Sequence, residues 1–244
     1  MTTRDVRKVP KGGVERIRTP AAALAAIGLE AEFSVALDGQ PAKPEDVFGS
    51  PTRIVRAPMM HRTGRSYHLP TGGAIYFDTG VIEIATPVIE IAPGCAARAG
   101  RSLWESIRYL REELDAWEQR EDHTIHLAGF SAHYNVSFEL PEEARGTTRT
   151  AEQLAILLTH IIGMPMMLVA ANRRSTGIGV RPRGNRVEIT ADFTPDAALM
   201  IAAATLVIGV TRPAISRSDA DGAPRTRQIR ALTSCSNGFA GNDV

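Results

Sequence analysis

Between Gly73 and Pro87 apolar and polar side chains alternate on both sides of Thr79-Gly80, which predicts a β-hairpin closed by a two-residue turn. Such a turn sets Asp78 opposite Val81, Phe77 opposite Ile82, Tyr76 opposite Glu83 and Ile75 opposite Ile84. One face then carries Ile75, Phe77, Ile82 and Ile84, and the other Tyr76, Asp78, Val81 and Glu83. The same period of two runs from Gly28 to Leu37, with Ala31, Phe33, Val35 and Leu37 against Glu30, Glu32 and Ser34, and Asp38-Gly39 follows as a turn. It returns from His126 to Leu140, where Val136, Phe138 and Leu140 alternate with His133, Asn135, Ser137 and Glu139. It returns again from Arg186 to Phe193, where Val187, Ile189, Ala191 and Phe193 alternate with Arg186, Glu188, Thr190 and Asp192. Residues 40–51, with three prolines, read as a loop, and short strands are expected over Thr52–Ala57 and Ser66–Leu69.

A helical period takes over elsewhere. From about Ala97 to Arg120, Leu103, Ile107, Leu110, Leu114 and Trp117 form one stripe, as in a helix lying on the back of a sheet. Thr150-Ala-Glu-Gln153 has the form of a capping box opening an apolar helix to about Ile162, stopped by Gly163 and Pro165. Thr194 as N-cap and Pro195 at the first helical position open a last apolar helix to about Val210. Residues 1–20 read as a flexible N-terminal segment and 212–244 as a mobile tail, leaving 21–211 as a single domain. Strands with helices on one side only make the fold class α+β, with a curved, mainly antiparallel sheet.

Composition narrows the field. The 244 residues suffice for one sizeable core, and 43% hydrophobic with 23% charged residues is ordinary for a globular protein. A net charge of +1 gives no electrostatic case for nucleic acid or a membrane surface as partner. Cys95 and Cys235 offer neither a disulfide framework nor zinc spacing. No apolar run approaches the ~20 residues of a membrane span, and the N-terminus lacks the apolar segment of a secretory signal, so a cytoplasmic location is expected. Apart from Lys8, Lys11 and Lys43 every basic side chain is arginine, whose planar fork suits phosphate and carboxylate. Met164, Met166 and Met167 read as core filling, Trp104 and Trp117 as packing, Cys95 as inert, and His123 with His126 as surface or turn residues.

The polar faces of the strands hold one kind of chemistry. Pooled, they contain Glu30, Glu32, Tyr76, Asp78, Glu83, His133, Asn135, Arg186, Glu188 and Asp192, and no lysine. Carboxylates converging in this number repel one another unless cations offset their charge. Oxygen ligands of this type suit Mg²⁺ or Mn²⁺. Divalent cations beside arginine point to polyphosphate, most simply ATP. Neither a P-loop nor a complete glycine-rich dinucleotide loop is present; Gly177-Ile-Gly179 lacks the third glycine.

Gly28-Leu-Glu-Ala-Glu-Phe33 resembles the first-strand Gly-Ile-Glu-x-Glu of the glutamine synthetase superfamily, which includes glutamate–cysteine ligases, carboxylate–amine ligases and the Pup ligase and deamidase enzymes. Asp78, followed by Glu83-Ile-Ala-Thr-Pro87, is similar to the Asp-x-x-x-x-Glu-x-x-Thr-Pro block of the Pup ligase and carboxylate–amine ligase branches. Gly129-Phe-Ser-Ala-His-Tyr-Asn135 resembles their Gly-x-His-x-Asn segment, and Arg186-Val-Glu188 the Arg-x-Glu element. The resemblance implies a funnel-shaped sheet of about six strands with helices packed on one face. It also implies Glu30, Glu32, Glu83 and Glu188 as metal ligands. His133 would contact metal or phosphate with Asn135 beside it, Arg186 with Arg181 or Arg183 would neutralise the γ-phosphate, and Asp78 would be the base. The reaction implied joins a small-molecule or peptide carboxylate to an amine through an acyl phosphate. A non-catalytic assembly subunit and an amide hydrolase with the same site remain as alternatives, and an open sheet edge with an apolar last helix leaves room for a homo-oligomer. Ile189-Thr190 stands where a second arginine often follows Arg-x-Glu, and the Asn-Pro that opens the next helix in glutamine synthetases is missing.

Overall fold

The computed structural model describes residues 23–139, 149–173, 175 and 177–218. The N-terminal segment, the tail beyond 218, Cys235 and the Thr150 side chain of the expected capping box lie outside the described residues. In chain order the elements are β1 (Ala23–Leu37), β2 (Gln40–Ala42), α1 (Pro44–Phe48), a 3₁₀ turn (Pro51–Arg53), β3 (Met60–His61), β4 (Tyr67–His68), β5 (Ala74–Asp78), β6 (Val81–Ala85) and β7 (Ile89–Glu90). Then follow α2 (Cys95–Glu121), β8 (Ile125–Glu139), α3 (Arg149–Ala170), β9 (Gly179–Arg183), β10 (Arg186–Asp192) and α4 (Ala197–Ser218).

The strands form one antiparallel sheet of ten strands in the order β3-β4-β5-β6-β1-β8-β10-β9, with β2 and β7 also pairing on β1. The expectation of about six strands is thus too low. β4 falls within the short strand expected over Ser66–Leu69. Of the strands not expected, β2, β3 and β7 have two or three residues each, too short to show alternation, and β9, Gly-Val-Arg-Pro-Arg, has a proline and too little apolar face to betray it. The fifteen-residue β1 and β8 run side by side through the middle of the sheet. The hairpin of β5 and β6 has the expected register, Tyr76 opposite Glu83 and Asp78 opposite Val81. Thr79 and Gly80 both have positive φ, 49° and 92°, as a primed two-residue turn requires.

The apolar face of every long strand turns toward the helices. Ile27, Leu29, Ala31, Phe33, Ile75, Ile82, Ile84, Tyr134, Val136, Val187 and Ile189 are buried there against Leu103, Leu110 and Leu114 of α2, Leu158, Ile162 and Met166 of α3, and Ala203, Ala204 and Val207 of α4. Burying one large aliphatic side chain stabilises the fold by roughly 1.5–3 kcal/mol, so this layer is what keeps the sheet closed on its back. α4 lies between α2 and α3, and α3 covers β9 and β10 at one end of the sheet.

Several local expectations are corrected. α3 does not stop at Gly163 and Pro165: its buried stripe Leu154, Leu158, Ile162, Met166, Ala170 continues at helical spacing, and Pro165 sits on the exposed side. Packing of that stripe outweighs the hydrogen bond that proline removes. α4 likewise runs through Pro213 to Ser218, so the expected tail begins inside a helix. Its N-cap is Asp196, whose Oδ1 accepts from the amides of Ala198 at 2.7 Å and Leu199 at 3.0 Å, not Thr194. With these lengths, Ala151–Ala170 and Ala197–Ala214 are long and apolar enough to cross a membrane, contrary to the reading that no run approaches a span. Both helices bury one face against the rest of the protein. Met164 and Met167 are not core: they are exposed, and only Met166 is buried.

The segment expected as a strand over Thr52–Ala57 is instead the 3₁₀ turn and an irregular loop, inserting the buried Ile54 and Val55 beneath α2. The buried Glu113 of α2 holds it there, accepting from the Arg56 amide at 2.8 Å and from its guanidinium at 3.1 and 3.2 Å. Glu113→Ala is expected to lower the stability to urea by about 2 kcal/mol, because the Arg56 amide loses its partner while the exposed guanidinium regains water. Glu113→Gln, which keeps an acceptor, should lose roughly half as much; equal losses would show that charge and not the amide contact matters.

Candidate active site

The polar faces of β1, β5, β6, β8, β9 and β10 converge on one open cavity of about 790 Å³ on the side of the sheet away from the helices. That volume is in the range of small-ligand sites. Strand pairing brings the residues together: Glu32 lies opposite Glu83 and Glu30 opposite His133. Glu188 lies opposite Asn135 on one side and Arg181 on the other. Residues from six strands therefore meet because each contributes alternate side chains to one face.

At the floor, one ligand atom each from Glu30, Glu83 and His133 lies within 4.8 Å of the others. His133 is buried, with Nδ1 3.3 Å from Glu30 Oε2 and Nε2 3.7 Å from Glu32 Oε1. Asn135 Nδ2 donates to Glu30 Oε2 at 3.0 Å, and Arg186 Nε donates to Asn135 Oδ1 at 3.1 Å. Ser131 donates to Glu32 Oε2 at 2.6 Å, and the Tyr76 hydroxyl donates to Glu83 Oε1.

This crowding sets the protonation states. Burial, with the charges of Glu30 and Glu32 added, pushes the Glu83 carboxyl up to about 8, against the opposing hydrogen bond from Tyr76. Burial also works against ionisation of Glu30, but the hydrogen bond and charge of His133, with Asn135 and Arg186, hold it below its ordinary value. Burial opposes charge on His133 too, yet Glu30, Glu32 and Glu188 raise it above its ordinary value. Tyr76 is driven far upward by burial and by Glu30 and Glu83, so it stays a neutral donor.

The positive side groups are on β9 and β10. Arg181 Nη2 is 2.6 Å from Glu188 Oε1, and Arg183 Nε is 3.3 Å from Glu188 Oε2. Both arginines are about half exposed and Glu188 is buried, so the guanidinium groups are reachable from the cavity. Glu188, read from sequence as a metal ligand, is thus held by arginines, and Glu32 by Ser131; neither belongs to the cluster of Glu30, Glu83 and His133. His133 stands in that cluster directly. Asp78 lines the cavity near its open side and accepts from Thr79 Oγ1 at 2.9 Å. Asp192 also lines it and accepts the Asn172 amide at 2.9 Å.

Sequence reasoning missed three contributions. Ser131 shares the face of His133 and Asn135, and its place two residues before His133 was legible from the alternation. Phe130 was not: it is the extra residue of a bulge, since Glu32 pairs with Ser131 and Phe33 with Gly129. The bulge leaves Phe130 exposed at the rim of the cavity. Gly129 faces the ring of Phe193, where an added Cβ would lie 2.0 Å from Cδ1. Asn172, on the connection after α3, carried no signal at all.

No protein-family model matches the chain, and no curated protein matches it. Among solved structures it is similar to the crystal structure of the complex between prokaryotic ubiquitin-like protein Pup and its ligase PafA, with a TM-score of 0.46 and 13% identity. The match covers 81% of this chain and 47% of that chain, so this chain spans about half the length of that relative.

Proposed function

We propose that this protein is an ATP- and Mg²⁺-dependent carboxylate–amine ligase. The observation that carries the reading is the meeting of Glu30, Glu83 and His133 within 4.8 Å on the floor of a cavity walled by Arg181, Arg183 and Arg186. The donor set fits a divalent cation of the Mg²⁺ or Mn²⁺ type: two carboxylates, one imidazole and no thiolate, with Glu83 desolvated enough to favour a proton when nothing else offsets its charge. A cation held there would neutralise a polyphosphate and polarise its terminal phosphoryl group.

The chain's own residues supply the rest. Arg181, Arg183 and Arg186 bind phosphate oxygens, the first two exchanging Glu188 for the nucleotide. The substrate carboxylate oxygen takes the γ-phosphoryl group and ADP departs. The amine then attacks the acyl carbon, phosphate leaves, and the proton lost by nitrogen passes to Asp78 at the open side. Tyr76 and Asn135 hold Glu83 and Glu30 in place through their hydrogen bonds.

Isothermal titration with a non-hydrolysable ATP analogue tests this reading. Binding is expected with Mg²⁺ and at least tenfold weaker in EDTA. Absence of binding in both conditions would refute the nucleotide site. Cleavage of an amide without ATP consumption would replace the ligase by a hydrolase.

A further inference from the structure

The outward face of α3 is unusual for a helix against solvent. Ile156, Ile161, Met164, Met167 and Leu168 are all exposed, Met164 at 79% and Leu168 at 83%. At 100° per residue they fall on one arc opposite the buried stripe of Leu158, Ile162 and Met166. A helix apolar on both sides is a helix that expects cover on both.

We infer that this face is the interface between two copies of this chain, related by a twofold axis that packs α3 on α3. Taking each side chain at its exposed fraction, the stripe amounts to roughly 500 Å², the upper end for a monomer's largest apolar patch and most of the ~800 Å² per partner of a standard interface. Self-association meets little charge repulsion, since the charged residues of α3 are confined to its first turn, Arg149 and Glu152, and the one ionisable group within the exposed arc is His160, between Met167 and Met164. The same scarcity of basic residues, with no tryptophan, is the wrong composition for a helix lying on a lipid surface. Its other face is already committed to the sheet.

The neighbouring sheet edge favours helix packing over strand addition. β9 ends the sheet and lies beneath α3. Arg183 and Arg186 flank a two-residue turn, which makes them the hydrogen-bonded pair, so Pro182 has its nitrogen side toward the free edge. A proline there removes the donor that an added strand needs. At this end of the sheet the helix face, not the strand edge, is the surface open to a second copy. The inference stands apart from the chemistry proposed for the cavity.

Sedimentation equilibrium of the protein from 1 to 200 µM tests it. A concentration-dependent dimer is expected, with Leu168→Glu or Met164→Glu raising the dissociation constant at least about 30-fold while circular dichroism stays native. Val88→Glu, equally exposed but outside the stripe, should leave the dimer unchanged. Hydrogen exchange of the unmutated protein should show protection of 153–168 that grows with concentration, which keeps the test open if a charged variant misfolds. A monomer at 200 µM, exchange independent of concentration, or equal disruption by Val88→Glu would each overturn the interface. Binding of the monomer to phosphatidylcholine vesicles would replace it by a lipid surface.

Discussion

Glu83→Gln and Glu30→Gln are each expected to lower ATP-dependent turnover on the order of 10³-fold, with the melting profile of the fold retained. Both side chains lie on the floor of the cavity within reach of His133. Glutamine keeps the shape and one acceptor oxygen but removes the charge on which the proposed cation site depends, so packing should survive and chemistry should not. The variants are also separable. Glu30 is held ionised, against its burial, by its contacts with His133, Asn135 and Arg186, and Glu30→Gln takes from His133 the negative charge that helps to raise it. Glu83, raised to about 8, keeps its proton at neutral pH unless a cation offsets its charge, so Glu83→Gln should abolish the metal dependence of nucleotide binding most completely. Glu188→Gln should act on affinity instead, since it releases Arg181 and Arg183 from their ion pairs. Phosphate-release assays with ATP analogue titrations measure all three. Turnover within tenfold of the unmutated protein in both Glu83→Gln and Glu30→Gln would remove the cluster from the mechanism.

Without divalent cation, stability should fall as pH rises from about 4.5 to 8. Glu83 has an ordinary value of 4.5 when unfolded and about 8 in the fold. Across that window the native state keeps a proton that the unfolded chain has lost, so each step up in pH favours unfolding. His133, raised above 6.5, acts with the same sign, since its contribution is lost as pH passes its folded value. Glu30, lowered from 4.5, contributes above that pH and loses its contribution only on the acid side. Urea unfolding at pH 5, 6, 7 and 8 in EDTA should show the decline. Glu83→Gln should leave only the shallower decline due to His133 and gain on the order of 2 kcal/mol at pH 8. Saturating Mg²⁺ should restore the unmutated protein at pH 8 through its binding to the native state alone, and do little for the variant. A stability that rises from pH 5 to 8 in EDTA, or an equal Mg²⁺ effect on Glu83→Gln, would place the buried proton elsewhere.

The long strands were legible because a half-buried sheet writes its geometry into every second residue. That is why the register of Tyr76 with Glu83 and the shared face of Glu30, His133 and Glu188 follow from alternation alone. The three long helices were legible for the same reason at a period of 3.6. The misses have physical causes too. Two- and three-residue strands such as β2, β3 and β7 have no period to read, β3 forming only on the edge that β4 offers, and β9 was not legible because its proline and arginines show too little apolar face. Gly163 and Pro165 looked like a stop because propensity is local, while the stripe that carries α3 past them is held by tertiary packing. Met164 and Met167 looked like core because residue type does not tell which side of a helix is covered. Within the site, the acids were readable but their partners were not. That Glu188 meets two arginines, and that a bulge turns Phe130 outward, depends on rotamers and on one extra residue in a register.

The pairing of β1 with β8 joins Ala23–Leu37 to Ile125–Glu139, segments about a hundred residues apart. At a synthesis rate of roughly 5–20 residues per second, the first strand waits on the order of 5–20 s for its neighbour to emerge. During that interval Glu30 and Glu32 have no His133 or Ser131 beside them, one edge of β1 has no β8 to pair with, and its apolar face lacks the cover of α4. Long-range pairing of this kind makes folding slow and leaves an exposed strand edge on the nascent chain. The ribosome-bound protein is therefore an expected client of chaperones, and the cluster proposed to hold a cation can assemble only after the central pair has closed.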